Sequence, residues 1–484
     1  MQTSTDTSRK WWVLLSVAMG IFLSTIDGSI VNVALPTLEE ELDTSFATVQ
    51  WVVVSYLLVV TSMMLGVARL GDMIGKKKIY MTGMAVFTTA SVLCGLAPSA
   101  GYLIAFRALQ GAGAAMMQAL GIAIITEAFP RSERGRALGI SGTVVSLGIS
   151  LGPTLGGVLI GGVGWRAIFL VNLPVGVIGL AMVRRFVPDW HPPGGQRFDA
   201  IGAVIMFGTL VALALGLTFG PTTGWVDPAI LALLAGAVAG LVVFLVVEAR
   251  RAQPMVDLRL FRDPIFSISL LTGLMVFIII AGMFVLPFYL ELVKGFGPRR
   301  VGLYLTVVPA ALGLTAPVAG ALSDRYGSRG ISLLGLVVLV GACFAVASLD
   351  ADTSTLGYIA RLLPLGLGAG LFQSPNNSAI MGAAPRERLG VASGLLALSR
   401  TMGQVTGIPL IGAIFASRVL SVADLPASVD VTDAPPWAIV EGVQTAFTAG
   451  AGVIAAGVVL SAIAYRLHRQ RVRLAAGESA PADR

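Results

Sequence analysis

Ala68-Arg69-Leu70-Gly71-Asp72, followed by Gly75-Lys76-Lys77-Lys78, has a counterpart far along the chain in Gly320-Ala321-Leu322-Ser323-Asp324-Arg325, followed by Gly327 and Arg329. Asp72 and Asp324 are 252 residues apart (324 − 72), and each stands where an apolar run ends in a basic, glycine-bearing turn. Other landmarks recur at nearly the same offset: Pro36 with Pro287, Arg107 with Arg361, Gln118 with Gln373, and Pro130-Arg131 with Pro385-Arg386. A long offset held in register means two homologous halves.

The chain has 484 residues, of which 56% are hydrophobic and 12% charged, and its mean hydropathy is +0.85. A soluble domain carries roughly 25% charged residues. Apolar runs of the length needed to cross a bilayer follow one another almost to the end. They predict fourteen helices over about 11–36, 48–68, 79–97, 101–126, 137–162, 166–183, 200–220, 229–248, 265–290, 301–322, 331–349, 355–381, 390–416 and 439–465. An all-α membrane protein is expected, and duplicated halves in so apolar a chain suggest a transporter built from repeats. Six spans directly joined would repeat after about 190 residues, and the observed offsets are about 60 longer, enough for two more helices. The runs at 200–220 and 229–248 supply them. The expected organisation is a first bundle over 1–198, an inserted pair over 199–250, and a second bundle with its tail over 251–484.

With the N-terminus inside, 25 of the 33 lysines and arginines fall on the cytoplasmic side and five outside, while Arg107, Arg361 and Arg400 fall within spans. That bias sets the expected orientation: a multi-pass protein of the cytoplasmic membrane with both termini in the cytoplasm. The net charge of +7 is then a topology signal, and no nucleic-acid partner is expected. Glu39-Glu40-Glu41 would face outside, and the Arg466–Arg473 tail would lie near anionic lipid. Cys94 and Cys343 fall inside spans as small buried hydrophobes, and two cysteines with two histidines build neither a disulfide framework nor a metal site.

Asp27, in Asp27-Gly28-Ser29-Ile30-Val31-Asn32-Val33-Ala34-Leu35-Pro36, is the one acidic residue well inside a span. Keeping a carboxylate ionised there is costly, so it is the candidate proton carrier; the alternative is a structural aspartate satisfied by its neighbours. Arg107, in Arg107-Ala108-Leu109-Gln110-Gly111-Ala112-Gly113, lies at similar depth. At 1.5 Å per residue, Asp27 is about 14 Å from the outer end of its span and Arg107 about 9 Å from the outer end of its own. Cycling between a paired and an unpaired state would release and capture a proton; a purely structural arginine is the alternative. Gly148, Gly152 and Gly156 recur every fourth residue beside Pro153 and Gly157, giving one bare helix face and a bend. Gly403, Gly407 and Pro409 form a looser counterpart. Asn32, Trp51, Tyr56, Gln118, Gln373, Asn376 and Gln404 are candidates to line a substrate pocket or to bridge helices.

Together these motifs resemble the major facilitator superfamily, and within it the fourteen-helix drug:proton antiporters of the EmrB/QacA type, over residues 11 to 465. The resemblance implies two pseudo-symmetric six-helix bundles with two inserted central helices, and adjacency of the first and fourth helices. Gly71, Asp72 and Gly75, with Asp324, Arg325 and Gly327, look like the family's loop motif, a conformational latch. The first copy departs from it at Ala68 and Met73, usually Gly and Arg. The Asp27 and Arg107 stretches are similar to the first-helix and fourth-helix signatures, and the Gly148–Gly157 run to the fifth-helix antiporter motif, a gate. The implied activity is proton-coupled export of small amphipathic drugs or hydrophobic metabolites by alternating access, by a monomer in the lipid bilayer with no cofactor or metal. Export or flipping of a lipid or its precursor is the competing reading, and a proton-coupled uptake symporter a weaker one. An enzyme is not expected, since no nucleophile–base set, metal cluster or phosphate loop is in view.

Overall fold

A backbone that crosses hydrocarbon must satisfy its own hydrogen bonds, so the apolar runs fold as helices. A computed structural model describes residues 9–130, 134–189, 199–251, 258–383, 389–426 and 429–478. In chain order the helices are α1 (Arg9–Glu41), α2 (Phe46–Ile74), α3 (Lys76–Gly95), α4 (Ala100–Ala128), α5 (Arg134–Val163), α6 (Ala167–Phe186), α7 (Ala200–Thr223), α8 (Pro228–Arg250), α9 (Pro264–Val293), α10 (Pro298–Leu305 and Val307–Tyr326), α11 (Ser328–Val346), α12 (Thr355–Ala383), α13 (Leu389–Val422) and α14 (Pro436–Glu478). Arg131, Pro385, Arg386, the Pro192–Gly195 stretch, and the side chains of Asp72 and Asp324 lie outside the described residues.

Among the described residues, twelve helices are long and apolar enough to cross a membrane. The other two are α3, which opens on Lys76-Lys77-Lys78, and α5, whose described apolar stretch is Leu147–Val163. On α8, Leu231, Val238, Val242 and Val246 share one exposed face, as lipid contact requires.

The duplication is visible in packing. The pairs α2–α4, α3–α4, α1–α5, α1–α6 and α3–α6 recur as α10–α12, α11–α12, α9–α13, α9–α14 and α11–α14. It is also visible in the backbone. Gly75 has φ 112° and ψ 125°, Gly327 has φ 89° and ψ 138°, and each N–H returns to a carbonyl four residues earlier, Gly71 at 3.0 Å and Ser323 at 2.9 Å. Only glycine adopts that conformation without strain, which is why the repeat kept it. α7 and α8 pack on each other, and α7 also lies against α2 and α13.

The bare face of α5 packs on α1. A methyl at Gly148 or Gly152 would collide with Thr25 or Ser29, and one at Gly156 would come within 2.8 Å of Ile30. In the second half, Gly403 and Gly407 face the carbonyls of Leu274 and Ile278 on α9, so the looser motif makes the same close approach. α9 differs from α1 around its proline. A 3₁₀ turn at Gly282–Val285 and a π turn at Tyr289–Val293 flank Pro287, whereas α1 runs unbroken through Pro36.

The end of the molecule holding the α1–α2, α9–α10 and α13–α14 loops, the distal end here, is where the halves meet. Gly157 of α5 abuts the Pro298 carbonyl of α10, and the Thr154 and Thr306 hydroxyls bond at 2.7 Å. Phe46 of α2 sits among Phe284, Phe288 and Phe415, with ring centroids at 5.8, 4.9 and 5.4 Å. The Phe46 N–H donates to Asp430 Oδ2 at 3.0 Å, and the Thr432 hydroxyl donates to Glu39. Glu39 is buried beside that contact.

Candidate functional site

Asp27 lies near the middle of α1, and both it and Arg107 of α4 have no solvent exposure. Arg107 Nη1 donates to Asp27 Oδ2 at 2.5 Å. The other carboxylate oxygen accepts from Gln110 Nε2 at 2.8 Å and from Asn172 Nδ2 of α6 at 2.9 Å. A charged pair out of water is tolerable only when its remaining hydrogen-bonding capacity is met in this way.

The shell continues outward. Arg107 Nε donates to the Val52 carbonyl of α2 at 2.9 Å, and Nη1 also reaches Gln110 Oε1 at 2.6 Å. Gln110 Nε2 bonds the Ser91 hydroxyl of α3 at 2.7 Å, and the Cys94 thiol lies 3.8 Å from Gln110 Oε1. The Tyr56 ring of α2 stacks under the guanidinium, 4.3 Å from centroid to Cζ, and its hydroxyl donates to the Ser24 carbonyl. Five helices of the first half thus converge on one carboxylate. Arg107 Nη2 is buried and without a hydrogen-bond partner. The arrangement can hold a charge in apolar surroundings, and protonation of Asp27 would break its attraction for Arg107.

The structure brings Asp27 and Arg107 together. Gln110, Ser91 and Asn172 were not anticipated. Gln110 carried a signal, since three residues past Arg107 places it on the same helix face; Ser91 and Asn172 carried none. Arg361, the counterpart of Arg107, donates to Ser348 Oγ and the Gly357 carbonyl near the distal end.

Tyr56 is corrected from pocket residue to part of the charge network, since it is turned into the bundle. Asn376 is likewise buried and donates to the Ser269 carbonyl, bridging α12 to α9. Asn32 and Trp51 each keep one buried polar atom unpaired, Oδ1 and Nε1, as a ligand-facing group would. Gln118, Gln373 and Gln404 are half-buried. A cavity of about 1000 Å³ opens at the distal end, and none of the seven expected pocket residues lines it.

The loop motif ties one half together. Lys76 pairs with Glu127 of α4, and Lys77 donates to the Arg184 carbonyl of α6 at 2.9 Å. Arg325 is exposed, lying 5.4 Å from the Tyr326 ring centroid. Among the described residues no group of three or more His, Cys, Asp or Glu could hold a metal, and Cys94 and Cys343 are free and buried.

Comparison with known proteins places this geometry. The Major Facilitator Superfamily profile matches residues 17–200 and again 198–408. The chain is 34% identical over 85% of its length to the riboflavin transporter RibZ of Clostridioides difficile (strain 630), covering 89% of that protein. It is 34% identical over 84% of its length to the multidrug resistance protein Stp of Mycobacterium tuberculosis (strain CDC 1551 / Oshkosh), covering 75% of it. It is 32% identical over 85% of its length to the tetracenomycin C resistance and export protein of Streptomyces glaucescens, covering 77% of it. Among solved structures, a bacterial homologue of the human lysosomal transporter Spinster, inward-facing and occupied, superposes with a TM-score of 0.70 at 17% identity, over 95% of this chain and 98% of that one. The chain belongs to the Major Facilitator Superfamily, a family of transporters and not of enzymes.

Proposed function

We propose that this chain is a proton-coupled exporter of amphipathic drugs or hydrophobic metabolites, of the fourteen-helix EmrB/QacA type, working by alternating access. The observation that carries the reading is the Asp27–Arg107 pair, sealed inside the first bundle with Gln110 and Asn172 on the remaining carboxylate oxygen. A buried ion pair is not in general a net stabiliser compared with apolar packing. An ionisable residue at membrane depth is therefore best explained by what it does. A proton arriving at Asp27 neutralises the carboxylate and releases Arg107, which keeps the Val52 carbonyl, Gln110 Oε1 and the Tyr56 ring as partners. Loss of the proton restores the pair.

The remaining parts fit that cycle. α3 and α5 pack as full members of the first bundle, which supports fourteen spans, with 1–198, 199–250 and 251–484 as the structural units. The lysine and arginine bias supports termini in the cytoplasm and a distal end that faces outside. The distal contacts at Gly157, Thr154–Thr306 and the Phe46 cluster are those that separate in an outward-open state. Gly148, Gly152 and Gly156 hold α1 and α5 as one rigid body while this happens. The names of the multidrug resistance and tetracenomycin export relatives support an export direction. The riboflavin transporter favours a second reading, a carrier dedicated to one metabolite.

Proton release into weakly buffered detergent solution at neutral pH tests the proposal when lipophilic dyes or antibiotics are added to wild type and to Asp27→Asn. Release by wild type that Asp27→Asn abolishes is expected. Release that survives the substitution removes Asp27 from the coupling step.

A further inference from the structure

Six carboxylates line the distal cavity, Glu39, Glu40, Asp43, Glu291, Asp430 and Asp433, and its described lining contains no lysine or arginine. Two of the six are committed to holding the halves together, Glu39 by Thr432 and Asp430 by the Phe46 and Thr432 N–H groups. The nearby basic residues look elsewhere. Lys294 donates to the Ala351 carbonyl, Arg418 pairs with Glu441 at 3.0 Å, and Arg300 lies over the Phe296 ring.

Charge alone would describe only a solvated acidic mouth. Two further side chains give it the character of a binding site. Gln50 of α2 is 2% exposed and its Oε1 has no hydrogen-bond partner; it lies against Gly412 of α13, whose missing side chain leaves it room. Thr218 of α7 is 4% exposed and its hydroxyl is also unpaired. Both line the same cavity. A buried acceptor left unpaired is unfavourable in the resting protein, and a ligand N–H would satisfy it. Half-buried Phe219 adds aromatic surface to the lining, which favours a cation with a flat apolar body.

We propose that this cavity is a binding site for an organic cation carrying N–H donors, such as an aromatic amine or amidinium, located above the contacts that close the distal end. The volume of about 1000 Å³ suits a drug-sized ligand better than a bare metal ion, and the described carboxylates form no metal-ligating group. One wall comes from α7 of the inserted pair, through Thr218, Phe219 and Pro221. The inserted helices would thereby have a share in ligand recognition. The site does not depend on proton coupling; only the statement that it faces the outside rests on the orientation proposed above.

The test uses ethidium, an aromatic cation with two amino groups, and fluorescence anisotropy with the purified full chain in detergent. The combined variant Glu40→Gln, Glu291→Gln, Asp433→Asn spares both carboxylates that hold the halves together. It is expected to weaken binding at least tenfold, as is the pair Gln50→Leu, Thr218→Val. Wild-type affinity should fall as sodium chloride rises from 50 to 500 mM. Three results would each overturn the proposal: no ethidium binding by wild type, binding unchanged in the carboxylate variant, or binding unchanged in the Gln50→Leu, Thr218→Val pair. None of them involves Asp27, so this site and the buried-pair reading fail separately. Elution and melting temperature of each variant, compared with wild type, show that binding is read on folded protein.

Discussion

Replacing Arg107 by methionine keeps most of the side-chain volume and removes the guanidinium. Asp27 would keep Gln110 and Asn172 as donors but lose its counter-charge, with no solvent exposure through which water could compensate. Gln110 Oε1 would be left with the weak Cys94 thiol at 3.8 Å. Orphaning one member of a buried pair costs about 3–5 kcal/mol. For a unit the size of the first bundle this lowers the melting temperature by on the order of 10 °C. The double variant Asp27→Asn, Arg107→Met removes the stranded charge and leaves a neutral acceptor for Gln110 and Asn172. It should recover about 2 kcal/mol or more of that loss, the coupling expected of groups in one network. Thermal unfolding of wild type, Asp27→Asn, Arg107→Met and the double variant, followed by tryptophan fluorescence, measures all of this. A single variant within about 1 kcal/mol of wild type, or a double variant no better than the single one, would refute the reasoning.

Gly152→Val places bulk against Ser29 and Ile30 where even a methyl does not fit. An overpacking cost of about 1–3 kcal/mol and a lower folded yield on gel filtration are expected; wild-type yield and melting temperature would contradict the α1–α5 contact. Gly75→Ala and Gly327→Ala force a side chain into positive φ, at about 1–2 kcal/mol each. Gly101→Ala, at a helical position with no atom within 4 Å, should be neutral or slightly stabilising; equal effects at all three positions would rule out the backbone explanation. Asp350 is held below the ordinary carboxylate range by hydrogen bonding from Thr353. Its contribution is therefore present above the unfolded-state value of about 3.9 and lost as pH falls through the lower folded value. Thr353→Ala should destabilise more at pH 7 than at pH 3, and the reverse order would contradict the assignment.

What the sequence makes legible is local or rare. Gly75 and Gly327 announce their turns because glycine beside a basic run punctuates any helix. Asp27 and Arg107 stand out because ionisable residues in apolar runs are few and depth can be counted along a helix. Partnership among neutral polar residues is different. Ser91 and Asn172 look like many other serines and amides in these spans, and only the tertiary fold brings them into the network around Asp27. Tyr56 shows the same limit on one helix. Five residues past Trp51 it is about 140° around the axis, so the two do not share a face, and polarity alone does not say which face meets the pocket. Glu39 is a similar case, since a run of three glutamates does not show that Thr432 of the other half meets one of them.

Proteoliposomes test the central claim most directly. Vesicles holding wild type or Asp27→Asn are loaded with a transported dye, and dye movement is followed with and without an imposed pH gradient. Should proton movement run through Asp27, wild type concentrates dye against its gradient when the pH gradient is present. Asp27→Asn should lose that drive entirely while still exchanging labelled for unlabelled dye across the bilayer. Gradient-driven accumulation by Asp27→Asn at the wild-type rate would contradict the account and leave the Asp27–Arg107 pair as a structural element of the first bundle.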